Sequence, residues 1–262
     1  MTDVDALREG GVPERLPTPA PTPGASSPDT EKVMSLVDHL GELRTRLVRS
    51  IIAVAVGSSL GFYFAPTIRN VLMSPLPDGA EHLQILDPGG GFAIVLRISL
   101  VAGIILAMPV LLYQLWAFVS PGLTANERRI LRPWIPLALF FFGLGVAIAW
   151  IVLPFAIGFL LSFTDDRLVA NLAAAPYFDF VTTMFLAFGL IMEFPIVLYA
   201  LSRVGIVTSA RLTSARRIVI LAIAVFSAVA TPGGDVISPI VLGGTMYILF
   251  ELTVFAIRRS GK

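Results

Sequence analysis

Apolar runs long enough to cross a bilayer recur along this sequence, and no other feature limits its fold so strongly. A hydrocarbon layer of ~30 Å takes ~20 residues of helix. Six stretches meet or approach that length: about Leu47 to Phe64, Phe92 to Phe118, Pro133 to Phe163, Phe180 to Leu201, Ile218 to Ala230 and Val236 to Ile257. None shows the ten-residue alternation of a membrane barrel strand. With 56% of the 262 residues hydrophobic and 14% charged, a soluble globule is the wrong class. The chain reads as an all-α polytopic membrane protein of six transmembrane helices.

The flanking charges set its direction. Lys32, Arg44, Arg46 and Arg49 precede the first span, and Arg128, Arg129 and Arg132 lie between the second and third. Arg203, Arg211, Arg216 and Arg217 separate the fourth and fifth, and Arg258, Arg259 and Lys262 follow the sixth. The opposite loops hold only Arg69 and Arg167, among Asp78, Glu81, Asp87, Asp165 and Asp166. By the positive-inside rule both termini are cytoplasmic. Residues 1–31 are rich in Pro, Thr, Ser and Gly and lack an apolar segment. They read as a disordered cytoplasmic tail with no cleavable signal peptide, ahead of a membrane domain over 32–262.

Local features refine the spans. The third is long enough that it must tilt, break near Pro154 or extend beyond the bilayer. The fifth has an uncharged core of thirteen residues, only ~20 Å of helix. Either the bilayer thins or a partner is recruited there, or Ala215 and nearby arginine stems lengthen the helix by snorkelling. The first external loop predicts a short amphipathic helix around Ile68 to Met73.

The candidate site residues are carboxylates in unexpected places. Glu42 lies among the basic residues before span one, four residues ahead of Arg46, on a helix whose Leu36, Leu40, Leu43 and Leu47 form an apolar stripe. It is either one half of a surface pair with Arg46 or an acceptor for a visiting guanidinium. Glu127 follows Thr124 by three residues and fits a capping box, or serves as a second acceptor on the same side. Two spaced carboxylates in basic rims suit a ligand with two arginines, because guanidinium binds carboxylate in a bidentate fork. Glu193 falls ten residues before Arg203, ~15 Å deep. It contacts Thr182, Thr183 or another span, or else marks a wet or partner-facing surface. Asp235 reads as a turn residue, and Glu251, seven residues before Arg258, as a group snorkelling toward the cytoplasm.

Other chemistries have little to stand on. There is no cysteine, neither of the histidines, His39 and His82, lies in a span, and no G-x-x-x-x-G-K-[ST] loop occurs. Thiolate metal sites, a Ser–His protease and nucleotide hydrolysis are not expected; no cofactor or metal is called and the chain reads as no enzyme. A proton- or ion-coupled secondary transporter using Glu193 is the alternative, though no internal repeat supports it.

Five strings, in this order over roughly Met34 to Arg259, resemble one family: "HLGELRTRL", "MSPL", "PVLLYQLWAFVSPGLTANERR", "FGLIMEFPIVL" and "TPGGDVISP". They resemble TatC, the multispanning receptor of the twin-arginine protein translocase. The resemblance implies a concave, cupped six-helix fold with short fifth and sixth helices in the cytoplasmic membrane. It implies a Sec-independent translocase core that exports folded proteins on the proton-motive force, together with single-span TatA- and TatB-like subunits. It also implies that Glu42 and Glu127 bind the paired arginines of a signal peptide, bordered by Arg44 and Phe118. Pro75 would lie in a sensitive external loop, Glu193 would be the family's intramembrane acid and Asp235 the acid of the last external turn. Pro239 stands where family members often carry glutamine, which leaves Thr245 as the substitute contact for partner subunits.

Overall fold

The computed structural model describes residues 36–77, 83–164, 172–203, 205–231 and 234–259. The tail, Lys32, His82, Lys262, Arg167 and the external acids Asp78, Glu81, Asp165 and Asp166 lie outside the described residues. Every long apolar run is helical. α1 (Leu36–Tyr63) carries the leucine stripe into the first span without interruption, as the spacing predicts. α2 (Ala65–Met73) is the short helix of the first loop, with proline in its first turn, where a missing N–H costs no bond. α3 (Gly90–Val119) follows and ends in a 3₁₀ turn at Ser120–Gly122. Next come α4 (Ala125–Leu131), α5 (Trp134–Leu161), α6 (Ala174–Ile191), α7 (Phe194–Arg203), α8 (Ser209–Ser214), α9 (Arg216–Ala230) and α10 (Ile237–Arg259). One isolated bridge, Gln84 with Ala173, is the only β pairing among the described residues.

Five segments are long and apolar enough to cross a membrane: Val37–Tyr63, Gly90–Gly122, Trp134–Leu161, Ala174–Arg203 and Ile237–Arg259. The sixth expected span, α9, has 15 residues, ~22 Å, and falls short. It is prolonged at its start. The Ala215 N–H bonds to Arg211 and the Ala215 carbonyl accepts from Val219, so α8 and α9 meet through one bent residue. The last helix departs from the expected short form: α10 has 23 residues, ~35 Å, a full crossing.

Two in-span prolines, Pro154 and Pro195, behave differently. α5 runs unbroken through Pro154, which forfeits one hydrogen bond in a helix held on its other side by the core. Pro195 instead coincides with a true break, where α6 stops at Ile191 and α7 starts at Phe194.

α6 is the axis of the packing. Phe178, Val181, Met184 and Phe188 are buried along it, facing Ala149, Val152 and Leu153 of α5 and Ile94 and Ile98 of α3. α1 leans chiefly on α3 in antiparallel sense through a seam of small residues. A Cβ on Gly57 would lie 2.6 Å from the Gly103 carbonyl oxygen, and one on Gly61 would lie 2.7 Å from that of Ser99. Such close backbone approach is how helices pair where lipid removes the hydrophobic drive between them. The far side of α1, including Ile51, Ile52 and Val56, is exposed.

Candidate functional site

At the N-terminal end of α1, local spacing and the α1–α3 seam assemble one polar corner. Glu42 is partly buried, and its Oε1 accepts from Arg46 Nε at 2.8 Å and from Arg46 Nη2. Arg46 Nη1 reaches on to Gln114 Oε1 at 3.3 Å, so the corner includes a buried amide of α3. The second carboxylate oxygen of Glu42, Oε2, is shielded from solvent without a hydrogen-bond partner among the described residues. His39 Nδ1 lies 3.8 Å from it. His39 itself stacks on Phe118, ring centres 4.3 Å apart. Arg44, called as a bordering residue, is exposed; Arg46 is the arginine that faces the acid.

The second acid sits just past the end of α3. Thr124 and Glu127 form the full capping box of α4: Glu127 Oε2 accepts from the Thr124 N–H at 3.0 Å, and Thr124 Oγ1 accepts from the Glu127 N–H at 3.4 Å. Arg128 ties this turn back to α3, donating to the Ser120 carbonyl at 2.8 Å through Nη2. The neighbours of both acids therefore reach the C-terminal end of α3, Arg46 and His39 beside Glu42 meeting Gln114 and Phe118, and Arg128 beside Glu127 meeting Ser120. Both local pairings that spacing alone predicts are present in the free chain.

Glu193 occupies the break between α6 and α7. Its carbonyl accepts from the N–H groups of Ile196 and Val197, and its Oε1 is shielded with no hydrogen-bond partner among the described residues. Of the two alternatives for Glu193, a contact to Thr182 or Thr183 is not made among the described residues. Thr182 is taken by the Phe178 carbonyl and by Arg97 Nε at 3.1 Å. Asp235 is more than a turn residue. It is 4% exposed, and its Oδ1 accepts from the Ser238 N–H at 2.6 Å, capping the start of α10. Pro75 lies in the turn after α2 between two buried leucines, Leu72 and Leu76, and Tyr177 Oη donates to the Leu72 carbonyl at 2.6 Å. Thr245 turns its hydroxyl to the Val241 carbonyl at 2.7 Å, within its own helix. Pro239 lines a groove with Ser227, Gly243 and Tyr247.

Three polar ties were not foreseen. Arg97 of α3 pairs with Asp179 of α6. Arg216, at the start of α9, pairs with Glu251 of α10 at 2.7 Å. Arg258 donates to Thr213 Oγ1 at 2.7 Å. The signal for the first was a charge near the start of each of two apolar runs, Arg97 just inside Phe92 to Phe118 and Asp179 just before Phe180 to Leu201. Neither announces its partner in the sequence.

Comparison with known proteins is consistent across the chain. The profile of the family described as TatC, Sec-independent protein translocase protein, matches residues 38–244. The Sec-independent protein translocase protein TatC of Desulforapulum autotrophicum is 37% identical over 236 residues, covering 88% of this chain and 87% of that protein. The Escherichia coli protein of the same name is 35% identical over 230 residues, covering 86% and 88%. A crystal structure of the twin-arginine translocase receptor TatC in DDM superposes with a TM-score of 0.73 at 37% identity, covering 84% of this chain and 99% of that one.

Proposed function

Because the chain belongs to the TatC family of Sec-independent protein translocase proteins, we propose a residue-level account of how it receives its cargo. It acts in twin-arginine protein transport as the receptor and core subunit of the translocase. The rival reading, an ion-coupled transporter built on Glu193, has no support from the family.

The account begins with six crossings and both termini in the cytoplasm of a cell-membrane protein, supported by the distribution of arginines between loops. The two arginines of a signal peptide dock at Glu42 and Glu127. The observation that carries this is the shielded, unpartnered Oε2 of Glu42 beside the His39–Phe118 stack. A carboxylate accepts through about four lone-pair sites, so an incoming guanidinium has a place to bond. The Arg46 pair that occupies Oε1 is an i,i+4 contact of ~0.3–0.5 kcal/mol, weak enough to yield to a bidentate ligand. Glu127 keeps its helix cap while it accepts the second arginine. The apolar part of the peptide then lies along the helices past Glu193. Single-span TatA- and TatB-like subunits gather afterwards, the groove at Pro239 being one face open to them. The proton-motive force drives the cycle.

The test is titration of a twin-arginine signal peptide onto the full chain in lipid nanodiscs. Removing a charge-assisted bond costs ~1.5–3 kcal/mol, so Glu42→Ala and Glu127→Ala are each expected to weaken binding by about tenfold or more. Unchanged binding and export in the double variant would place the receptor site elsewhere.

A further inference from the structure

The Arg97–Asp179 pair has no part in the docking of a signal peptide described above, yet it is a charged cluster on two membrane helices. Arg97 bonds Asp179 through Nη2 and Thr182 through Nε. Arg97 Nη1 and Asp179 Oδ2 take no further partner among the described residues. The two side chains are 44% and 50% exposed; Arg97 and Thr182 line a cleft of about 420 Å³, and Asp179 stands beside it through its pair with Arg97. The remaining wall is largely aliphatic, with Leu96, Leu100, Ile104 and Leu186.

Depth decides what can meet these charges. α3 has 30 residues, or ~45 Å of helix, and exceeds the ~30 Å hydrocarbon layer by ~15 Å. Centred, it leaves about five residues outside at each end. Arg97 is the eighth residue of α3, so its backbone sits only ~4 Å inside the boundary. A long helical side chain leans toward the helix N-terminus and snorkels, which brings the guanidinium to headgroup level. Asp179, the sixth residue of the 30-residue segment Ala174–Arg203, lies at the boundary by the same count.

We propose that this cleft is a binding site for a phospholipid with a zwitterionic, primary-ammonium headgroup of the phosphatidylethanolamine type. The phosphate takes the open edge of the Arg97 fork, the geometry that guanidinium offers to phosphate. The ammonium donates to Asp179, and the acyl chains lie against the leucines and Ile104. A cation and an anion presented side by side complement a headgroup with the same two charges. A trimethylated headgroup has no N–H to give Asp179, and a purely anionic one sets negative charge against it.

The experiment uses the full chain in nanodiscs made from equal parts phosphatidylethanolamine, phosphatidylcholine and phosphatidylglycerol, followed by mild detergent stripping and mass spectrometry of the retained lipid. Wild type is expected to keep phosphatidylethanolamine over phosphatidylcholine by about tenfold, the worth of one charge-assisted bond. In Arg97→Gln with Asp179→Asn the ratio is expected to fall to about one, while signal-peptide binding is unchanged. If wild type shows no preference, favours phosphatidylglycerol, or keeps its preference in the double variant, the site does not read this headgroup. A signal peptide that crosslinks to Arg97 and displaces the lipid overturns the proposal as well. Should the double variant fail to fold, the wild-type ratios alone decide, because loss of a structural clamp leaves headgroup preference untouched.

Discussion

The carboxylate of Glu42 is bonded through one oxygen to a neighbour on its own helix, and its other oxygen is shielded without a hydrogen-bond partner among the described residues. That balance gives a sharp expectation for Arg46. Arg46→Gln removes a competitor worth ~0.3–0.5 kcal/mol, so signal-peptide affinity should rise about twofold, opposite in sign to Glu42→Ala. Peptide titration measures both, and because Arg46 and Glu42 are only 20% and 15% exposed, added salt should weaken the two effects only modestly. Asp235 has a different task. Asp235→Ala removes the cap of α10 and should lower stability by ~1 kcal/mol, whereas Asp235→Asn keeps an acceptor and costs less, as detergent melting curves would record. The Glu42–Arg46 pair and the Thr124–Glu127 box were legible in the sequence because both are local, three or four residues apart. The contact from Arg46 to Gln114 spans 68 residues, and spacing along one helix carries no trace of it. Neither does it reveal the shielding of Asp235, which depends on what packs over the turn.

At the level of elements, chain-local rules placed the long apolar helices and α2, but neither the short α4 and α8 nor every helix end. Pro195 marked a real break, whereas Pro154 sits in a helix that continues, because α5 has the α6 core along one side to keep it straight. α6 also starts earlier than hydropathy alone predicts, since Tyr177 and the Gln84–Ala173 bridge secure its first turns. The pairing of α9 with α10 was equally invisible, for Arg216 and Glu251 are far apart in sequence. Glu251→Gln should loosen α9 from α10 and lower the melting temperature, and Arg216→Glu with Glu251→Arg should recover part of the loss. The seam between α1 and α3 makes a stronger claim. Gly57→Leu drives a side chain into the Gly103 backbone, and such overpacking costs ~1–3 kcal/mol or more. Introduced cysteines on α1 and α3 should then crosslink less readily, against a background free of native thiols.

For the molecule as a whole, the membrane class, five of the six expected membrane-length runs and the family motifs were readable, since each depends on composition and order along the chain. The packing of α6 against both α3 and α5 was not, because apolar side chains of similar size look alike until they are paired. Sidedness has a direct check. Cysteines placed at Arg132 and Arg217 should label from the cytoplasm, and those at Ser74 and Ser162 only from outside; the reverse pattern at any one of them would break the six-crossing arrangement. The glycine seam also has a mechanical meaning for the docking acid. Glu42 rides the same rod as Gly57, about fifteen residues or ~22 Å away. A swing of about ten degrees at that pivot moves the carboxylate ~4 Å, more than a hydrogen bond can stretch. The aim of the acid is therefore only as steady as the fulcrum beneath it.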